Sequence, residues 1–480
     1  MDRTLVDPDA LAAKADDDAL PVIEPATGER LTAVRAAGAA DVRAAVREAA
    51  NAQRHWALAA PAERAEVLRK AALTLAEAEA EATQWLVREG GAVRGKAKAE
   101  IGAVLDELWA AAALPLQAHG ELLPAVSGEV SIGRRLPLGV VGVISPWNFP
   151  MLLGLRAVVP ALALGNAVVL KPDPHTPVSG GVFPAAVFAE AGLPPGVLQV
   201  VCGDAEPGEA LVDHPDVPMI AFTGSTAVGR RIGEAGGRAL KRVSLELGGN
   251  NALIVLDDAD LEAAAAAGAW GAFTHQGQVC MTAGRHIVLE SVADRYLDLL
   301  AARAEAMVVG DPWADDSVHL GPLIDDRQAR RVHDIVQASV AAGATVVAGG
   351  TVSGRYHRPT VLAGVTPEMP AFTEEIFGPV APVIVVRDED EAVEAANATD
   401  YGLVAGVLTG STARGLAVAE RLRTGIVHVN DQTVNDNAHV PFGGRGASGN
   451  GSRYGARHSW DEFTQWQWLT ARSTPPRYFG

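Results

Sequence analysis

The sequence predicts an α/β protein with a doubly wound, parallel-sheet domain followed by a second α/β domain, and three observations carry that expectation. From residue 139 onward, short apolar runs alternate with helix-length segments, the pattern of parallel strands joined by crossover helices. At 480 residues the chain is too long for one ordinary hydrophobic core, so two or three units are expected. With 48% hydrophobic and 20% charged residues, the composition is that of a globular protein rather than a disordered or fibrous one.

Taken in order, residues 1–20 carry acidic groups where a secretion signal would have a basic region and an apolar core. With only two cysteines, Cys202 and Cys280, no disulfide framework is expected, and the location expected is cytoplasmic. Residues 41–57 and 62–89 have apolar positions at helical spacing, with Pro61 near the start of the second helix. The alternation over 129–137 predicts an extended hairpin. The runs at 139–144, 167–171, 197–202 and 219–223 then predict strands, with helices at 149–164, 178–191 and 205–213 between them. Residues 139–246 thus read as a nucleotide-binding unit on which the N-terminal helices pack. A second set of strands is expected at 252–256, 285–289, 345–348 and 381–386, with helices at 259–273, 292–307, 325–342 and 389–397. The tail beyond Trp460 alternates aromatic and polar residues, as a strand able to join another subunit's sheet would. The apolar run Met151 to Leu170 is broken by Arg156, Pro160 and Gly165-Asn166, so a packed helix and strand suit it better than a membrane span. A formal charge of −18 argues against a nucleic-acid partner and against an anionic membrane surface.

Cys280 lies in a loop between a helix and a strand, where reactive groups are commonly placed. A thiol is a strong nucleophile once its proton is removed, although a lone cysteine is more often a packed core residue than a nucleophile. Phe222-Thr223-Gly224-Ser225-Thr226-Ala227-Val228-Gly229 passes from a strand into a helix, where small residues let main-chain N–H groups approach a pyrophosphate. The sequence Gly444 to Gly449 has dinucleotide-fingerprint spacing, but no strand precedes it. It reads as a tight loop near the active site.

From about residue 130 to 470 the chain resembles the aldehyde dehydrogenase superfamily. The likeness rests on Pro146-Trp147-Asn148-Phe149-Pro150, Gly165-Asn166 with Lys171-Pro172, the segment from Phe222 to Thr226, and Leu245-Glu246-Leu247-Gly248-Gly249. It continues with Gln276-Gly277-Gln278 before Cys280, Glu374-Glu375-Ile376-Phe377-Gly378-Pro379, and Pro441-Phe442-Gly443-Gly444. The resemblance implies a Rossmann-like cofactor domain (1–118 and 138–246), an α/β catalytic domain (247–445), and a β oligomerisation element (119–137 and 446–480). It implies that Cys280 attacks an aldehyde and that Asn148 with the Cys280 N–H stabilises the oxyanion. Glu246 would then activate water against the resulting thioester.

For NAD, or NADP, it implies contacts from Ser145, Trp147, Lys171, Gly203, Thr223, Gly224, Ser225, Gly229, Leu247, Gly248, Glu375 and Phe377. Pro174 stands where many NAD-preferring relatives carry a glutamate, which removes one obstacle to NADP. No metal is expected. Several local sequences, KPDPHTP and EFTQWQW among them, lean toward the benzaldehyde and vanillin dehydrogenase branch. Phe149, Leu152, Arg156, Val279, Met281 and Phe442 would line the substrate tunnel. Arg156 either faces that tunnel, to pair with a phenolate or ring carboxylate, or turns outward as a surface arginine. The assembly expected is a homodimer or homotetramer. Alternatives are a medium-chain aliphatic or CoA-acylating dehydrogenase of the same fold, or a Cys-Glu-Lys amidase of the nitrilase type.

Overall fold

The computed structural model describes residues 4–15 and 19–476; the first three residues and the last four, which belong to the expected N-terminal and tail segments, lie outside it, as do 16–18. The first sheet has five parallel strands in the spatial order Leu198–Val200, Ala167–Lys171, Val140–Ile144, Met219–Thr223, Arg242–Glu246. Chain order therefore reverses between Val140–Ile144 and Met219–Thr223, which opens a crevice beyond the carboxyl ends of those strands. Strand Ala167–Lys171 is buried on both faces, which is why it reads as an unbroken apolar run.

Helix Pro150–Ala163 begins on a proline and is buried along its whole length. Gly165, at φ 88°, ends it in the left-handed region. Asn166 then ties four backbone groups together. Its Oδ1 accepts from the N–H groups of Leu138 (2.7 Å) and Gly139 (3.1 Å), and its Nδ2 donates to the carbonyls of Ala161 and Phe463. The Gly165-Asn166 motif is thus a joint between helix, sheet and tail. Among the described residues no helix is long and apolar enough to cross a membrane.

The second sheet has seven strands ordered Thr345–Ala348, Thr360–Ala363, Val380–Val386, Arg285–Leu289, Ala252–Val255, Val404–Leu408, Ile426–Val429. Only its edge strand Thr345–Ala348 is antiparallel. A third sheet holds Gly120–Leu122, Glu129–Pro137 and the tail strand Thr464–Arg472. The tail strand pairs along nine residues with Glu129–Pro137 of its own chain.

Two helix expectations need correcting. The segment 62–89 is two helices, Pro61–Glu77 and Glu79–Gly90, which meet at Ala78. Helix Arg94–Ala112, packed against Pro150–Ala163, was not anticipated. Its buried positions Ala97, Ile101, Val104, Leu108 and Ala111 do fall at helical spacing, but Lys96, Glu100 and Glu107 share the inward face and blur the stripe.

Candidate active site

Two turns at the crevice come from neighbouring strands. After Ile144 the chain runs through Ser145-Pro146-Trp147-Asn148 into helix Pro150–Ala163. After Thr223 it runs through Gly224-Ser225 into helix Thr226–Arg238, whose N-cap is Ser225, its Oγ accepting from the Val228 N–H at 3.5 Å. A cavity of about 370 Å³ lies between them. Trp147, Asn148, Thr223, Gly224, Ser225, Leu247, Gly248, Cys280, Glu375 and Phe377 all line it. Trp147 meets Phe377 edge-on at 5.4 Å. Gly248 packs so closely on Glu375 that a Cβ there would lie 2.0 Å from its carboxylate oxygen.

The loop leading to Cys280 is unusual in its backbone. His275, Gln276 and Gly277 have successive φ values of 51°, 57° and 66°. For the two non-glycine residues this costs about 1 kcal/mol or more each, so neighbouring contacts must hold them. Gln276 Nε2 donates to the carbonyls of Gly91 (3.0 Å) and Pro322 (2.8 Å). Gln278 Oε1 accepts from the Ile324 N–H at 3.0 Å, while the Gln278 carbonyl accepts from Asn148 Nδ2 at 2.8 Å. Asn251 Nδ2 donates to the Cys280 and Thr282 carbonyls, both at 2.8 Å. Asn148 and Cys280 therefore meet through a braced loop. The bracing residue Asn251 was missed in the sequence, where it is one of two adjacent asparagines with nothing to tell them apart.

Cys280 feels the charge of two carboxylates here, Glu375, which lines the cavity with it, and Glu246, which does not. Glu246, at the end of the last strand of the first sheet, is buried, and neither carboxylate oxygen has a hydrogen bond of good geometry. Burial holds its pKa well above the usual carboxylate value, against the opposing charges of Arg453 and Arg156. Glu375 accepts from the Gly249 N–H at 2.9 Å and is raised by burial to about 7. The Cys280 thiol is pushed up to about 12 by burial and by the charges of Glu375 and Glu246.

Of the expected cofactor residues, Ser145, Lys171, Gly203 and Gly229 stand outside the cavity lining. Gly229 packs against Leu247, and Gly203 leaves no room for a Cβ beside Pro207. Lys171 is buried at its strand end, its pKa lowered by burial against the attraction of Asp173 and Asp204, and its ammonium has no hydrogen-bonding partner among the described residues.

On the other side of Asn148 a second cavity, about 620 Å³, is lined in part by Phe149, Leu152, Arg156, Trp270, Val434 and Asp436. Val279, Met281 and Phe442 are not in its wall; they are buried with Leu403 and Val404 in an apolar cluster on which Phe149 and Cys280 rest. Arg156 does not turn outward as a surface arginine. It faces this cavity, but its guanidinium is already paired with Glu107 Oε1 (3.1 Å) and Asp436 Oδ2, and it lies over the Phe442 ring at 4.5 Å. Glu107 and Asp436 are 49 residues before and 280 residues after it. A local reading of the chain had no signal for either.

Residues 12–469 match the family model described as the aldehyde dehydrogenase family. This chain belongs to the aldehyde dehydrogenase family. It is 52% identical over 458 residues to a benzaldehyde dehydrogenase [NAD(+)] of Pseudomonas putida, covering 95% of this chain and 94% of that one. A vanillin dehydrogenase of Amycolatopsis sp. matches at the same identity and the same coverage. The crystal structure of an NAD-dependent aldehyde dehydrogenase from Sinorhizobium meliloti superimposes with a TM-score of 0.93 at 35% identity, covering 97% of this chain and 94% of that one. As an aldehyde dehydrogenase the protein is an oxidoreductase acting on aldehydes, which removes the amidase alternative. The fingerprint-like segment Gly444–Gly449 forms a loop around the short turn Gly446–Ser448. Its Ser448 carbonyl accepts from the Leu247 N–H at 3.0 Å, so it buttresses the strand end that carries Glu246.

Proposed function

We propose that this aldehyde dehydrogenase oxidises aromatic aldehydes to carboxylic acids with NAD, using Cys280 as a covalent nucleophile. The observation that carries the reading is the junction at Cys280. One cavity beside it ends on Asn148 and Glu375 at the point where strand order reverses, and a second, largely apolar one begins at Phe149. The residues fit a dinucleotide. The crevice opens onto a helix N-terminus, which favours a pyrophosphate, and the unpartnered Lys171 ammonium suits a ribose hydroxyl. Lys171, Ser225 and Glu375 would hold the cofactor, with Ser145, Trp147, Gly203, Thr223, Gly224, Gly229, Leu247, Gly248 and Phe377 shaping its bed. When bound, the nicotinamide supplies the hydride acceptor.

Desolvation and the charges of Glu375 and Glu246 keep the proton on the half-buried Cys280 thiol at neutral pH, so the sulfur attacks as its proton is released to solvent through the cavity it lines, which leaves Glu246 free for the second step. The thiolate sulfur attacks the aldehyde carbon, and the carbonyl oxygen becomes an oxyanion received by the Asn148 amide and the Cys280 N–H. The oxyanion collapses as the carbon gives up its hydride, leaving an acyl group in thioester linkage to Cys280. Glu246 then takes a proton from water, the hydroxide adds to the thioester, and the carboxylic acid departs with the sulfur as leaving group.

The relatives at 52% identity support an aromatic substrate, and so does the wall of Phe149, Leu152, Trp270 and Val434. Because the charge of Arg156 is already matched by two carboxylates, this reading favours an uncharged ring over one bearing a carboxylate. Asp173 does not replace the acid missing at Pro174, since it accepts from the His175 N–H (3.0 Å) and pairs with the His175 ring (2.7 Å). NAD use with measurable NADP use follows. In the same reading residues 1–118 with 138–246 hold the cofactor, 247–445 carry Cys280, and 119–137 with 446–480 serve assembly into a cytoplasmic homodimer or homotetramer. A spectrophotometric panel tests the substrate assignment. Benzaldehyde is expected to exceed acetaldehyde in kcat/KM, and equal or inferior turnover of benzaldehyde contradicts the aromatic reading.

A further inference from the structure

Helix Arg94–Ala112 brings two charges into the interior beside the Asn148 turn. Lys96 and Glu100, one helical turn apart, form an ion pair at 2.5 Å with side chains only 5% and 0% exposed. Both groups also reach across to the next helix. The Lys96 ammonium donates to the main-chain carbonyl of Asn148 at 2.7 Å and sits 4.0 Å from the centre of the Phe149 ring. The other oxygen of Glu100 accepts from the N–H groups of Met151 (3.0 Å) and Leu152 (3.1 Å), which no carbonyl of helix Pro150–Ala163 can satisfy. The pair therefore grips the chain on both sides of Phe149-Pro150. From that gripped segment the Asn148 amide reaches the Gln278 carbonyl, two residues before the nucleophile. Stability alone is a weak reason to bury such a pair, because desolvation offsets most of its attraction.

Building on the reading of Asn148 as an oxyanion donor, we propose that Lys96 and Glu100 are positioning residues for the reaction, fixing the Asn148 main chain so that its amide stays aimed at the oxyanion on the carbon bonded to Cys280. Neither has to touch the reacting atoms. A misplacement of about 1 Å at such a donor costs up to roughly 10²-fold in rate.

The test compares the enzyme with Lys96→Met/Glu100→Gln, with Asn148→Ala, and with the triple variant. Removing both charges together avoids stranding one of them in the interior. The proposal expects the double variant to keep its NAD affinity and its aldehyde KM within about threefold while kcat falls about 10- to 100-fold. It further expects the triple variant to be no slower than Asn148→Ala, since the pair acts through that residue. Wild-type kcat in a folded double variant overturns the proposal. A loss confined to aldehyde KM does so too, because Lys96 also borders the larger cavity. Losses that multiply in the triple variant would show a general packing role and reject it. Should the double variant not fold, the isosteric Glu100→Gln is expected to show the same kcat-weighted loss in milder form, and an unaltered kcat there overturns the idea. Full activity in Asn148→Ala would instead strike the underlying oxyanion reading.

Discussion

Glu246 shows how far a single buried carboxylate can be tuned. With no hydrogen bond of good geometry to its oxygens, it pays for burial by holding its proton more tightly than an exposed glutamate. Its basic form is therefore lost as pH falls, and at a higher pH than the ordinary value of about 4.3. The acid limb of kcat is expected to lie well above that value and to be abolished, with the rate cut at least about 100-fold, in Glu246→Gln. A limb at the ordinary glutamate pKa in a stopped-flow pH series contradicts this. Asn148→Ala is expected to lower kcat about 10²- to 10³-fold with little change in NAD affinity, measured by fluorescence titration. Cys280 and Asn148, which the fold brings to one cavity, and the buried Glu246 could be picked out in the sequence because each sits in a short motif that stands out from its surroundings. Arg156 was only half readable. Its place on helix Pro150–Ala163 was evident, but its partners Glu107 and Asp436 come from distant segments that only the folded chain brings together.

At the scale of elements, the strands of the first sheet were legible because doubly buried parallel strands read as apolar runs. The helix Arg94–Ala112 was not, because its inward face carries the ions that brace the site. A contact between elements also escaped notice. His175, in the loop after Lys171, bridges Asp173 (2.7 Å) and Asp325 (3.3 Å), and Asp325 caps helix Asp326–Ala341, from which Gln328 donates to the Phe377 carbonyl at 2.8 Å. Burial disfavours the charged ring, but its hydrogen bonds and attraction to the two aspartates outweigh this and raise its pKa to about 9, while the His175 hydrogen bond helps to lower Asp325 to about 2. Because the folded-state pKa of His175 is raised, its stabilisation is complete below the unfolded value of about 6.5 and is lost as pH climbs through about 9. The melting temperature of the wild type is thus expected to fall more steeply than that of His175→Gln between pH 7 and about 9.5. Parallel curves in a calorimetric pH series refute the bridge. In the same loop, Pro174→Glu is expected to reduce NADP turnover relative to NAD. An unchanged ratio counts against the account of cofactor choice.

For the whole molecule, the sheet formed by Gly120–Leu122, Glu129–Pro137 and Thr464–Arg472 leaves apolar groups in solvent. Trp466 is 54% exposed, Trp468 71% and Leu122 81%, and among the described residues no strand pairs with the outer edge of the nine-residue tail strand. Soluble proteins seldom leave such an edge and such side chains uncovered. The tail's alternation announced a strand, yet alternation is silent about which strand it pairs with, and the register against Glu129–Pro137 emerges only in the folded chain. If the exposed face is where copies of the enzyme meet, Trp468→Glu is expected to shift the mass in sedimentation equilibrium to that of the 49.8 kDa chain. An oligomer of unaltered mass, or a wild-type enzyme that is already monomeric, excludes this face as the interface.

The most direct test of the whole account is to look for the acyl group itself. Glu246→Gln enzyme, mixed with benzaldehyde and NAD and quenched in acid, is expected to carry one benzoyl group, and peptide mass spectrometry is expected to place it on Cys280. Absence of the adduct together with wild-type turnover by Cys280→Ala, or its presence on another residue, would contradict the account.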